Sequence, residues 1–346
     1  MIFLYFFSFC AFSQIGGEKV YQFLNISTSA RQVALGGETL TLVDNVNQPT
    51  WNPATITSSI DKKLSVNYTN YLAGVNVGSA AFAYTINRRV GTLQTNIKYL
   101  NYGTLIGADE QGNETGNFSA SDIALSVGYA YPILPNRVYI GTNLKVINSV
   151  IDTFSSTGIA FDFGMLYYRK GLPYKISLVV RNVGTQITSY NGTSESLPLQ
   201  IAIGGSYKLE HVPLCWYFTI NNLQKWNLSV PNPSNSTTDF NGNVTPEKIT
   251  FINNLARHFV LGVELFPEKA INLRLGYNFK RGNELKLQNV RTFGGISFGF
   301  GLKMNKLKLQ YAYSKYHSAT NVSTFSLQID MGEKSYKRGK DNVKKF

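Results

Sequence analysis

The feature that most constrains this chain is a two-residue alternation of apolar and polar side chains, sustained over most of its length. In the stretch 271–279, Ile271, Leu273, Leu275, Tyr277 and Phe279 point one way, while Asn272, Arg274, Gly276 and Asn278 point the other. Ile123, Leu125, Val127, Tyr129 and Tyr131 alternate with Asp122, Ala124, Ser126, Gly128 and Ala130. Ile296, Phe298, Phe300 and Leu302 alternate with Ser297, Gly299, Gly301 and Lys303, and Phe325, Leu327 and Ile329 with Ser326, Gln328 and Asp330. Such dyads set one face of a β-strand in an apolar medium and the other in a polar one. No helix fits them.

Fourteen such segments follow one another, at 62–72, 77–87, 91–103, 118–132, 136–150, 155–170, 174–184, 198–210, 213–223, 257–267, 269–281, 290–303, 306–317 and 321–331. Strands of soluble domains average about 5–6 residues, whereas a tilted membrane strand needs about 9–11. Most segments here reach or exceed the membrane length. The connections alternate too. After the even-numbered segments they are brief, such as Arg88-Arg89-Val90, His211-Val212 and Met304-Asn305; after the third, seventh and ninth they are long, at 104–117, 185–197 and 224–256. Short periplasmic turns opposite long extracellular loops mark an even-stranded outer-membrane barrel. Tyr131, Tyr139, Tyr167, Tyr168 and Tyr174 gather beside two of the short turns, where an interfacial aromatic girdle belongs.

Composition closes off the alternatives. Of 346 residues only 15% are charged and 13% are aromatic, against about 25% charged in an average globular chain. Disorder is excluded, and no apolar run of about 18 residues follows the first dozen, so no mature transmembrane helix is expected. A propeller would show a repeat of about 40–50 residues, which is missing. A soluble sandwich buries an apolar face but has no reason to alternate its loop lengths. The expected fold is all-β: a fourteen-stranded antiparallel transmembrane β-barrel with a short N-terminal helical plug.

Residues 1–13 read as a signal peptide, an apolar stretch ending in Ala11-Phe12-Ser13 ahead of Gln14. Phe9 before Cys10 argues against a lipoprotein signal. Cleavage there leaves Cys215 alone, so no disulfide within the mature chain is expected, and the thiol is read as a buried small hydrophobe. The segment 14–61 differs in texture from the barrel at 62–331. Asn52-Pro53-Ala54 is a helix start, with asparagine as N-cap and proline at the first helical position, and Ala34-Leu35-Gly36-Gly37 ends a short apolar run with a flexible turn. A fourteen-strand lumen is too wide for side chains alone to fill, so an inserted plug is expected. A strongly basic tail, 332–346, closes the chain.

Thr28-Ser-Ala-Arg-Gln-Val-Ala-Leu-Gly-Gly37, followed by Trp51-Asn-Pro-Ala54, resembles the N-terminal plug of the FadL-type outer-membrane barrels, which have fourteen strands and carry hydrophobic small molecules. Within that superfamily the chain most resembles the PorQ family of the Bacteroidetes type IX secretion system. The matching stretches are Tyr21-Gln-Phe-Leu24, Ala30-Arg-Gln with Leu35-Gly-Gly, Val46-Asn-Gln-Pro49 running into Asn52-Pro-Ala54, Asp109-Glu-Gln-Gly112, Ser126-Val-Gly-Tyr-Ala-Tyr131, Arg274-Leu-Gly-Tyr-Asn-Phe279 and Gly295-Ile-Ser-Phe-Gly-Phe-Gly-Leu302. The resemblance implies a non-enzymatic barrel that anchors a PorZ-like surface protein of an attachment complex with PorU and PorV, next to lipopolysaccharide. It also singles out Arg31, Ala34, Leu35, Gly36, Gly37, Asn52, Pro53 and Ala54 as the plug motif. The basic tail departs from the usual aromatic finish of the last strand.

Catalytic motifs are missing. His211, His258 and His317 lie far apart in sequence, where a lone histidine at a barrel rim is an interfacial polar group more often than a metal ligand. No nucleophile elbow, phosphate loop or paired-cysteine motif occurs, and no cofactor is expected. The net charge of +13 is scattered over strand ends and lumen positions rather than clustered for nucleic acid, which suits a neighbour of anionic outer-leaflet lipid. Two functions compete: the anchor of a surface partner, and a FadL-like transporter of hydrophobic small molecules. Polar inward positions such as Asn272, Arg274, Asn278, Ser326, Gln328 and Asp330 favour the anchor, because an apolar conduit needs apolar lining. The longest loop, with Trp226, Pro231, Pro233 and Phe240, is the candidate partner-binding surface.

Overall fold

A computed structural model describes residues 19–332 apart from 88–89, 136, 230–235, 240–243, 246–248, 285–292 and 317–319. The signal peptide, His317, Pro231, Pro233, Phe240 and 333–346 of the basic tail lie outside the described residues. Each expected segment corresponds to one strand: β1 (Lys63–Asn70), β2 (Asn76–Asn87), β3 (Gly91–Ala108), β4 (Glu114–Leu134), β5 (Val138–Ile151), β6 (Phe154–Tyr168), β7 (Tyr174–Thr188), β8 (Gln200–Lys208), β9 (Leu214–Ile220), β10 (Phe259–Leu265), β11 (Ile271–Asn278), β12 (Ile296–Met304), β13 (Leu307–Lys315) and β14 (Asn321–Asp330). Each pairs antiparallel with its chain neighbour, and β1 meets β14 from Lys63 opposite Asp330 to Asn70 opposite Ser323, which closes the barrel.

The dyads resolve into two environments. Leu275 and Phe325 leave about half their surface exposed, at 57% and 53%, whereas the intervening Arg274 and Ser326 are each 3% exposed. Apolar side chains therefore face outward all round the barrel, and polar ones face in. An exposed apolar belt of this size is stable only in lipid, and a closed barrel of even strand number is the spanning solution that leaves no backbone edge unpaired. The chain is an integral outer-membrane β-barrel, with the short turns at its periplasmic end and the long connections at its outer end.

Two expectations about the wall need correction. The segment 104–117 is not a loop, since β3 and β4 continue through it to a tight turn at 109–113. Its Gly and Asn content reads as irregular, but the Asp109 carboxylate accepts from the backbone of Gln111 and Asn113 (3.0 and 2.8 Å), and Gly112 takes a positive φ of 83°. The wall is thus tall on one side, 18 and 21 residues in β3 and β4, and low on the other, 7 residues each in β9 and β10. The tyrosines also divide. Tyr167 and Tyr174 stack at 5.8 Å on the lipid side, with Tyr131 also outward. Tyr139 and Tyr168, one register step away, turn inward onto Val43 and Ala54 of the N-terminal segment.

The wall is partly open between β7 and β8. Between β7 and β8 the ladder runs only from Tyr174 opposite Tyr207 to Arg181 opposite Gln200. Beyond it, Asn182 has a positive φ of 59° and the β6–β7 register shifts. The outer half of β7 is flanked instead by the connection 189–199, held by Asn182 Nδ2 donating to the Pro198 carbonyl (3.0 Å) and Glu195 N donating to Gln186 Oε1 (2.6 Å).

Candidate functional site, the plugged lumen

Residues 19–62 thread the lumen from the outer end, where Lys19 bridges Ser196, to the periplasmic end, where β1 begins. Glycine, proline and asparagine keep helices short here: α1 (Ala30–Ala34) and 3₁₀ turns at Gln22–Asn25, Gln48–Thr50, Pro53–Thr55 and Ser58–Ile60. A segment so lacking in regular structure leaves many backbone groups unpaired. The inward polar side chains of the wall supply partners. Ser326 Oγ accepts from Ala30 N (2.8 Å), Gln94 Nε2 donates to the Val46 carbonyl (3.3 Å), and Asn143 Nδ2 donates to the Pro49 carbonyl (2.6 Å). Polar lining thus holds the plug in place.

Every plug-motif residue is buried in the lumen. Asn52 caps the Pro53–Thr55 turn, its Oδ1 accepting from Ala54 N (3.0 Å), while its Nδ2 donates to the Leu40 carbonyl and to Ser177 Oγ on β7, both at 2.8 Å. Gly36 and Gly37 take positive φ of 95° and 99° after α1, a conformation that side chains oppose. Ala34 packs against Ala312, and Leu35 against Leu42, Cys215 and Tyr217. Cys215 is a buried free thiol within that apolar cluster.

Arg31 is the electrostatic pivot. Its Nη1 reaches both carboxylate oxygens of Asp44 (2.7 and 2.8 Å), and its Nη2 donates to Glu264 Oε2 (2.8 Å) on β10. Glu264, fully buried, also accepts from Arg274 Nε (2.8 Å) and the Tyr217 hydroxyl (3.0 Å). Burial alone would raise the Asp44 carboxyl, but the Arg31 guanidinium holds it well below the usual carboxylate range. Burial would likewise depress Arg31, and the two carboxylates overcome it and keep the guanidinium charged. Half of the Asp44 side chain opens to a recess of about 570 Å³ at the periplasmic end, so solvent screens that arm of the network.

The outer half of the lumen has a different character, which revises the expectation of polar lining throughout. Val77, Leu100 and Ile147 point inward there, with Tyr71, Tyr102 and Tyr190 beside them. Val20, Tyr21, Phe23 and Leu24 of the N-terminal segment fill this apolar vestibule. The four dyads quoted above do not reveal it, because Val77, Leu100 and Ile147 lie on β2, β3 and β5, outside those stretches.

The candidate loop, 224–256, joins the short strands β9 and β10, and part of it lies among the described residues. Trp226 stacks on His258 (5.3 Å) and packs on Phe251 of α2 (Phe251–Ala256) at 5.2 Å. His258, expected at a polar rim, is instead 1% exposed, with its ring nitrogens at the Asn221 and Trp226 carbonyls (2.6 and 3.1 Å). Among the described residues, no cluster of three His, Cys, Asp or Glu side chains could hold a metal.

No protein-family model and no curated protein matches the chain. Two of the solved structures that share this closed-barrel fold are a channel and a transporter by name. One is the TodX monoaromatic hydrocarbon channel, a deltaS2 mutant, at 12% identity and a TM-score of 0.52, covering 89% of this chain and 98% of that one. The other is the Ralstonia pickettii toluene transporter TbuX, at 9% identity and a TM-score of 0.52, covering 89% and 99%.

Proposed function

We propose that this barrel is a channel for hydrophobic small molecules across the outer membrane. The observation that carries the reading is the apolar vestibule at the outer end, closed by the chain's own residues 20–24 and lying beside the break between β7 and β8. An apolar solute could displace the Phe23 side chain at little cost, since one apolar surface replaces another. Among the described residues, the plug's ion pairs lie at the other end, around Arg31 and Glu264. The two channels of like fold carry hydrocarbons by their names. Expression in a heterologous outer membrane should raise uptake of radiolabelled toluene several-fold over the empty vector. Leu100→Asp should abolish the gain while the folded barrel still assembles. Uptake equal to the vector control rejects the proposal.

A second reading, the anchor of a surface protein in a type IX attachment complex, has its own support. Phe251 and Ile252, at the start of α2, are 66% and 73% exposed beside Trp226, and the tip of the β3–β4 hairpin, 109–117, is polar and exposed. Replacing Phe251 and Ile252 by Asp should reduce recovery of a PorZ-like partner from solubilised membranes without affecting assembly; wild-type recovery counts against the anchor.

A further inference from the structure

Midway down the lumen, below the vestibule, three buried cations lie in one layer: Lys98 on β3, Lys145 on β5 and Arg181 on β7. Two have acidic counterparts. Lys145 Nζ pairs with Asp162 (2.7 Å), and Arg181 donates to Gln200 Oε1 (2.5 Å), whose Nε2 donates to Glu38 (3.2 Å). Lys98 has only carbonyls, Leu24 O at 3.2 Å and Ile26 O at 2.8 Å. Among the described residues no carboxylate bonds it. A buried ammonium without a counter-charge is costly.

Lys98 and Lys145 line a common cavity of about 20 Å³, walled also by Asn96, Ser126, Thr50 and Leu24. Its volume suits one water-sized occupant. An ammonium has three N–H groups; Lys98 spends two on the carbonyls of Leu24 and Ile26 and keeps one, whereas Lys145 Nζ has both Asp162 oxygens and Asn182 Oδ1 within 2.8 Å. Asn96 Nδ2 commits one of its two to the Ala80 carbonyl (3.1 Å). No carboxylate lines the cavity.

We propose that this cavity is a binding site for one small inorganic anion of halide size, held by the Lys98 ammonium and Asn96 Nδ2, with the Lys145 ammonium beside it. The ion neutralises the excess charge of the layer and ties the segment that carries Leu24 and Ile26 to β3 and β5. The test uses the purified full chain in detergent, with sodium chloride titrated against sodium gluconate at fixed ionic strength. The thermal midpoint of the folded barrel should rise saturably with chloride. In Asn96→Ala the apparent chloride dissociation constant should weaken by roughly three- to tenfold, the worth of one hydrogen bond, and in Lys98→Met the chloride dependence should vanish. Should Lys98→Met fail to fold, crystals of the unsubstituted chain grown in bromide decide the matter, with an anomalous peak expected beside Lys98 Nζ. A midpoint indifferent to chloride overturns the site, and so does bromide found at surface lysines alone, an adventitious ion only.

Discussion

At the scale of single residues, the plug stands or falls with a few buried polar groups. Glu264 is the clearest, because it neutralises Arg31 of the plug and Arg274 of β11 at once while fully buried. Glu264→Ala leaves two guanidinium groups short of their shared counter-charge, a change that costs about 3–5 kcal/mol for a broken buried pair. Thermal unfolding in detergent should show the loss, and Glu264→Gln should recover part of it through hydrogen bonding. Asp44 behaves differently, since water screens it. Its folded carboxyl lies below its unfolded value of about 3.9, so its contribution is complete above that pH and declines as acidification carries the solution toward the folded value. Between pH 5 and 8, Asp44→Asn should cost less than about 1 kcal/mol. Its difference from wild type should shrink below about pH 4, and a constant difference there would rule this account out.

At the scale of elements, inward glycines decide where the plug sits. A Cβ on Gly276 would lie 2.2 Å from Gly36 N, and one on Gly141 would lie 2.4 Å from the Pro53 carbonyl carbon. The wall is scooped out at these two places to seat the 34–37 turn and the Asn52 cap. Gly276→Val should therefore dislodge the turn while leaving the strand ladder intact, and single-channel conductance in planar bilayers should rise. Conductance equal to wild type would mean that the turn finds another seat. In the sequence Gly276 and Gly141 are only small residues on the polar side of a dyad; the seat exists because a distant segment arrives there.

At the scale of the whole molecule, the barrel and its plug have different standing. Closure by fourteen paired strands leaves no edge strand, so the barrel does not need the plug to complete its sheet. Deleting 14–60 should leave a folded, heat-modifiable barrel in the membrane with higher conductance. A chain that no longer assembles would show the plug to be part of the folding unit. The taller wall at β3–β6 and the low wall at β9 and β10 make the outer mouth oblique, which leaves the exposed Phe251 and Ile252 beside the low rim.

The sequence by itself determined the strand count, the chain-neighbour order and which side of each strand meets lipid. Those follow from a period of two, and a register slip by one residue would turn every apolar side chain from lipid to lumen. The Asn52 cap and the 34–37 turn were equally legible, because capping chemistry is local. Only the tertiary structure decided what long-range contact controls. It joined Arg31 to Glu264 across 233 residues of chain. It made the Asp109 turn a hairpin tip instead of a loop, and turned Tyr139 and Tyr168 onto the plug. It also gathered Val77, Leu100 and Ile147 into an apolar vestibule and left Lys98 without a carboxylate. Alternation fixes which way a side chain points, but what it meets there is set by barrel closure and by the path of the N-terminal segment through it.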